Sequence, residues 1–172
     1  RKNQNILLNW NFNGWAKYKN YRADNKVNLR IKDHYKGTIV NPKFNKKSIV
    51  LEGGAIDVNG KGLLLTTKEC LLSKIQQRNS FLKTKDYNHI FKKFFGAKKV
   101  IWLNKGIVGD DTHGHVDDIA RFVKFNKVFL AYENNKKDEN FKNLDENLKI
   151  LKKIKIGSSQ IKIIKIPMPG PI

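Results

Sequence analysis

SIVLEGGAIDVNGKGLLLTTKECLL, residues 48–72, decides the fold class of this chain. Ile49 to Leu51 reads as a buried strand, broken by Gly53-Gly54. Ile56 and Val58 resume a period-two alternation, Asn59-Gly60 is a two-residue hairpin signal, and Leu63 to Thr67 returns as the partner strand. Further on, Tyr87, Ile90, Phe91 and Phe94 recur at i, i+3, i+4 and i+7. That spacing predicts a helix over Lys83–Phe95, ended by Gly96. Lys99 to Leu103, with VIWL at its centre, is the next strand. The order from Ser48 through Leu103 is therefore β-β-α-β.

The same order recurs from Ala120 through Ile166. Ala120–Phe125 and Lys127–Tyr132 read as strands joined at Asn126. Asp138 can cap a helix whose stripe is Phe141, Leu144, Leu148 and Leu151, and Gln160–Ile166 alternates Ile with Lys as a last strand. Two such units predict an α/β architecture with strands packed inward and helices outside. Upstream of Ser48 the pattern is thinner. Ile6 to Trp10 is a short apolar run and NFNGWAKYKNY is rich in aromatics and glycine. Residues 24–35 suit a strand through Val27, Leu29 and Ile31, or a helix capped by Asp24 with Val27, Ile31 and Tyr35 on one face. The closing PMPGPI reads as a connector, because proline cannot donate to a sheet ladder.

Composition narrows the function classes. The 172 residues are about one domain's worth, and 40% hydrophobic content is globular rather than disordered. There is no apolar run of about 18 residues to span a bilayer. The opening RKNQNILLNW is too short in its apolar part for a signal peptide and lacks a small-residue cleavage site. A first residue of Arg rather than Met suggests a fragment or a processed product. The single cysteine, Cys70, allows neither an intrachain disulfide nor a cysteine zinc cluster, which is compatible with a reducing setting. The net charge of +20 comes from 35 basic against 15 acidic residues. A polyanion partner would exploit it. However, the lysines are scattered and no aromatic-interleaved basic motif occurs, so a solvated lysine-rich surface is the reading that fits and no nucleic-acid partner is expected.

Against that background GDDTHGHVDD, residues 109–118, reverses the local sign: it holds four of the fifteen acids. A pocket for a small cation needs such carboxylates, and a guanidinium matches them with its planar fork. An Asp-rich surface turn, with Asp-Asp-Thr as a cap, is the plainer alternative. His113, His115 and Asp117 alternate, so an extended backbone would put them on one face. They suit a metal site, a catalytic histidine with its carboxylate, or a solvated edge. Glu52, at the end of an apolar run before Gly53-Gly54, is either a strand terminus beside a bulge or a carboxylate facing cleared space. Cys70, among leucines, reads as a buried thiol rather than a nucleophile.

Four stretches together, LNWNFNGWAKY, VLEGGAIDVNGKGLLLTTKECLL, VIWLNKGIVGDDTHGHVDDIARFV and IPMPGPI, resemble the agmatine deiminase and bacterial peptidylarginine deiminase family over nearly the whole chain. The resemblance implies the pentein fold, an α/β propeller of five ββαβ modules, of which this chain would be a central, partial catalytic domain (residues 1–172). It implies that His115 is the general acid/base, that Asp117 grips the guanidinium nitrogens, and that Glu52 orients the histidine. Asp111 falls where an acid lines the substrate channel. His113 matches a position without a role, which removes the metal reading, and Cys70 matches a non-catalytic one. The nucleophilic cysteine would lie beyond Ile172 and an Arg-Asp motif before Arg1, so the chain alone would be inactive. The implied reaction converts agmatine to N-carbamoylputrescine and ammonia in the cytoplasm, a step toward putrescine, with no metal or cofactor. Peptidylarginine deimination and a degenerate, non-catalytic relative are the alternatives. The oligomeric state stays open, a homo-oligomer being compatible.

Overall fold

The computed structural model describes residues 5–31, 34–35 and 37–169, in two compact units, Arg1–Glu52 and Gly53–Ile172. The charged opening RKNQ and the end of the proline-rich connector, residues 170–172, lie outside the described residues.

In the first unit, β1 (Ile6–Leu8) pairs in parallel with β2 (Thr38–Val40). Between them the backbone turns left-handed at Gly14, Trp15 and Ala16, with φ of 65°, 57° and 56°. Phe12, Trp15, Tyr18 and Tyr21 then meet edge to face. The ambiguous segment 24–35 resolves locally as helix: a 3₁₀ turn, Asp24–Lys26, runs into α1 (Val27–Arg30). The Asn25 side chain accepts the Phe12 N–H at 2.8 Å and ties this helical stretch to the aromatic turn. A small hairpin follows, β3 (Lys43–Phe44) with β4 (Lys47–Ser48).

Ile49 to Leu51 departs from expectation. Ile49 and Leu51 are buried, as predicted, yet the segment joins no sheet of the first repeat. It forms an isolated parallel bridge instead: Asn11 donates to Ile49 O at 3.0 Å, and Leu51 N–H donates to Asn11 O at 3.2 Å. An apolar run reports burial, not which strand supplies its hydrogen bonds.

The second unit contains both expected repeats. β5 (Asp57–Val58) and β6 (Leu63–Thr67) are antiparallel. The short α2 (Lys68–Leu72) and then α3 (Thr84–Phe95) lead to β7 (Lys99–Leu103), parallel to β6. Next, β8 (Ala120–Lys124) and β9 (Lys127–Tyr132) are antiparallel, and α4 (Phe141–Lys152) follows. A two-strand hairpin, β10 (Lys155–Ile156) and β11 (Ser159–Gln160), precedes β12 (Lys162–Pro167), which lies parallel to β9. The sheets thus share one order, β5-β6-β7 and β8-β9-β12. Pro167 is tolerated because β12 ends its sheet's order, where a missing donor leaves no partner unsatisfied.

The hairpin between β5 and β6 is wider than a two-residue turn. Val58 pairs with Leu64, leaving five residues in the connection. Asn59 accepts the N–H groups of Lys61 and Leu63 at 2.8 and 2.9 Å, and both Gly60 and Gly62 adopt positive φ. The asparagine acts as a side-chain cap for the loop, which a bare Asn-Gly signal does not distinguish from a tight turn. At the helix ends, the Asp86 carboxylate accepts the Lys83 N–H at 2.9 Å, and Gly96 closes α3 at φ 65° as predicted. Asp138 acts one step earlier than a cap: its carboxylate accepts the Asn140 N–H at 2.8 Å, and Asn140 is the N-cap.

One apolar core joins the two repeats. It includes Leu65, Ile101 and Leu103 from the first sheet, Val128 and Leu130 from the second, and Leu144, Leu148 and Leu151 from α4. Val116 and Ile119, from the connection between the repeats, are buried in the same cluster. Among the described residues no helix is long and apolar enough to cross a membrane.

Candidate active site

The connection from Asn104 to Ile119 carries the acidic motif, and it is pinned along its length. At its start the buried Asn147 of α4 accepts the Asn104 N–H at 2.8 Å and donates to Lys105 O at 2.7 Å. Next, Glu69 of α2 accepts the Gly106 N–H at 2.7 Å. Asp110 accepts from the backbone of Thr112 and Gly114, both at 2.7 Å, and of His115 at 3.2 Å, and from the Thr112 hydroxyl. Thr67, at the end of β6, donates its hydroxyl to Gly114 O and accepts the Cys70 N–H, so it caps α2 and holds the loop at once. Finally Gly54 O accepts from Val116 and Asp117, at 3.0 and 3.3 Å.

These constraints place His115, 7% exposed, with Nδ1 3.8 Å from Asp117 Oδ1. That separation exceeds a hydrogen bond and leaves the two groups adjacent but not consumed by each other. Gly54 is required beside them. A Cβ there would stand 2.4 Å from His115 Nδ1 and 2.8 Å from the nearer Asp117 oxygen. The glycine therefore clears the ground between imidazole and carboxylate, as the Gly53-Gly54 pair suggested.

Of the expected site residues, the structure brings His115 and Asp117 together. Asp111 is exposed on the turn. Glu52, half-buried, is the last residue of the first unit and directly follows the buried Leu51. Cys70 is fully buried in α2. The expectation that His113, His115 and Asp117 share a face fails, because positive φ at His113 (60°) and Gly114 (87°) breaks the extended run. His113 Nε2 lies 3.1 Å from Ser73 Oγ, in a hollow of about 480 Å³ that Lys68, Lys105 and Glu146 also line. Gly114 has a steric duty as well, since a Cβ would come within 2.8 Å of Glu69 Cβ.

The electrostatics divide the acids. Burial works to raise the Asp110 carboxyl, but its hydrogen bonds from Thr112, Gly114 and His115 outweigh this and hold it below the usual range. Asp110 is thus a loop organiser, the Asp-x-Thr turn that was the plainer alternative, with both oxygens engaged. Asp118 is pushed up, first by burial and then by the charges of Asp110 and Asp117. Asp57 of β5 is also raised by burial, against hydrogen bonding from Phe122 N–H and the nearby Arg121 guanidinium. Neither Asp57 nor Arg121 stood out as a functional residue in the sequence. Their partners lie across strands, and each looked like an ordinary strand position.

The likeness to known proteins runs the length of the chain. It is 34% identical over 172 residues to the agmatine deiminase of Medicago truncatula, covering 96% of this chain and 44% of that one. The agmatine deiminase of Pseudomonas syringae pv. tomato is 31% identical over 171 residues, 96% of this chain and 45% of the relative. The chain therefore spans about half the length of the curated relatives it matches. Among solved structures, the agmatine deiminase of C. jejuni with substrate bound superposes with a TM-score of 0.81 at 32% identity, over 97% of this chain and 46% of that one. The agmatine deiminase of Enterococcus faecalis gives 0.82 at 28% identity, over 94% and 44%. The paired ββαβ repeats, the buried histidine beside an aspartate and a profile match over residues 2–172 agree on one assignment: the chain belongs to the Porphyromonas-type peptidyl-arginine deiminase family.

Proposed function

We propose that the chain supplies the histidine and guanidinium-gripping half of an agmatine deiminase site, within a five-module pentein propeller to which it contributes two ββαβ repeats. The observation that carries this is the buried His115 imidazole, 3.8 Å from the Asp117 carboxylate, over ground kept clear by Gly54. A carboxylate beside a desolvated imidazole, in a locally acidic loop of a +20 chain, suits a flat cation that must be held while a proton is delivered.

In this reading a cysteine thiolate from a part of the protein beyond these 172 residues attacks the guanidinium carbon, forming a C–S bond. Asp117 grips the guanidinium, and His115 gives its proton to the departing ammonia as the C–N bond breaks. The neutral imidazole then takes a proton from water. The hydroxide adds to the same carbon, the C–S bond breaks to restore the thiolate, and the new hydroxyl releases its proton to solvent as the C=O forms, leaving N-carbamoylputrescine. Glu52 is assigned the orienting acid on its LEGG motif, and Asp111 a place along the approach to the site on its position in GDDTHGH. The product's fate as a putrescine precursor and a cytoplasmic setting belong to the same proposal.

The test is turnover of agmatine, followed by ammonia release, by the whole protein of which this sequence is part. A C-terminal-arginine peptide is assayed alongside. His115→Asn is expected to lower kcat by roughly 10²–10⁴-fold. Turnover of the peptide without agmatine would overturn the substrate assignment, and an active His115→Asn enzyme would overturn the role of the histidine.

A further inference from the structure

Asp117 has a second charged neighbour. Arg121, four residues on and within β8, places Nη1 3.8 Å from Asp117 Oδ2. Its Nε lies 3.3 Å from Oδ1 of Asp57, whose side chain is 10% exposed. The other Asp57 oxygen accepts the Phe122 N–H at 2.6 Å. Asp57 is therefore anchored on both oxygens, and one guanidinium spans from it to Asp117. On Asp117 the two oxygens face different groups: Oδ1 toward His115 Nδ1, and Oδ2 toward Arg121.

We propose that Arg121 is a positioning residue: braced by Nε on Asp57, it sets its positive charge beside Oδ2 of Asp117 and so favours Oδ1, the oxygen beside His115, as the one presented to a substrate guanidinium. This rests on the guanidine reading of the site but not on the choice of agmatine. An unbraced aspartate would take an incoming guanidinium in the two-oxygen fork that such pairs prefer. That grip holds the ground state at least as well. It shifts the reacting carbon relative to the imidazole, however, and small misplacements are expensive in rate. Arg121 thereby trades some attraction for alignment.

The opposing view is that Arg121 merely decorates the surface with an ion pair. Its side chain is 56% exposed, and exposed ion pairs contribute little to stability. The two views predict different readouts. The assay is steady-state deimination by the whole enzyme, unsubstituted and as Arg121→Ala, Arg121→Gln, Arg121→Lys and Asp57→Asn, with thermal melts of each. Positioning predicts that Arg121→Ala and Arg121→Gln lower kcat at least roughly tenfold while KM stays level or falls and the melting temperature barely moves.

Lysine recovers little, because a point charge does not bridge two carboxylates. Asp57→Asn loses part of the same rate, and the Asp57/Arg121 double variant is no worse than Arg121→Ala alone. A kcat within about a factor of two of the unsubstituted enzyme in Arg121→Gln overturns the proposal, as do strictly additive losses. Absence of any guanidine turnover by the unsubstituted enzyme is a different failure, since it sinks the guanidine reading itself.

Discussion

The two ββαβ repeats of residues 53–172 have the same strand order and the same mix of antiparallel and parallel neighbours, yet their helices are built differently. In the first, α3 buries Tyr87, Ile90 and Phe91, and the Tyr87 and Phe91 rings meet each other and Trp102 of β7 at centroid distances of 5.8–6.4 Å. In the second, α4 buries three leucines and, among them, the wholly buried Asn147. A buried amide is costly unless its bonds are made, and Asn147 makes both with the first two residues after β7. The first helix spends its polar bonds on Asn79 and Trp102, whereas the second also holds the segment that carries His115 and Asp117. The candidate site sits where the repeats are joined, and the repeat that holds it gives up some apolar surface to do so.

The largest effect that can break this division is a core deletion in the first helix. Phe91→Ala should lower unfolding free energy by roughly 3–5 kcal/mol in urea titration. The molecules that remain folded should keep the native His115 imidazole signals in NMR, because Thr67, Glu69 and Asn147 pin the connection from β6, α2 and α4. Disturbed His115 signals would mean that both helices serve the loop.

Asn147→Ala should cost less, about 2–3 kcal/mol, chiefly by leaving the Asn104 N–H and the Lys105 carbonyl without partners. Its signature should be local. Hydrogen exchange should quicken over Gly106–His115 while α3 keeps its protection. If exchange rises equally in both helices and the loop, Asn147 is only another core residue and the contrast between the repeats fails.

Much of this scaffold was legible because periodicity survives in it. The stripes of α3 and α4, the runs at Leu63–Thr67 and Lys99–Leu103, and the Gly96 stop are local signals, each answered by burial or a cap. The sheet partner of Ile49–Leu51 was not legible, since it depends on Asn11 far back in the chain. At the candidate site the residue types in GDDTHGHVDD and the glycine at 54 pointed to this loop, but a period-two reading could not place its histidines. His113 and Gly114 have left-handed backbones, and Asp110 draws three N–H groups inward, so His115 turns toward Asp117 while His113 turns toward Ser73. The Asp57–Arg121–Asp117 chain left no mark in the letters, because it is made by strand register across 64 residues rather than by spacing.

The smallest effect sharpens the contrast within the loop itself, between the acid that builds it and the acids it exposes. Asp110 has a carboxyl held below its ordinary 3.8 in the folded protein, so between that lower value and 3.8 the unfolded chain binds more protons. Its contribution is therefore fully present above about pH 3.8 and is lost as pH falls through the folded value. Asp110→Asn should destabilise the protein at neutral pH by roughly 1–2 kcal/mol, because an amide offers one acceptor oxygen and turns N–H groups toward donors. The same variant should flatten the acid limb of the stability curve. Asp118 has the opposite sign: its carboxyl is raised by burial and by neighbouring charges, so its ionised form opposes folding and the penalty fades as pH falls. Asp118→Asn should then stabilise slightly at pH 7 and steepen the loss toward acid. Chemical denaturation of both variants between pH 3 and pH 7 checks the pair. Parallel shifts of the two curves would show that Asp110 is one more solvated carboxylate, and that the loop owes its shape to the glycines alone.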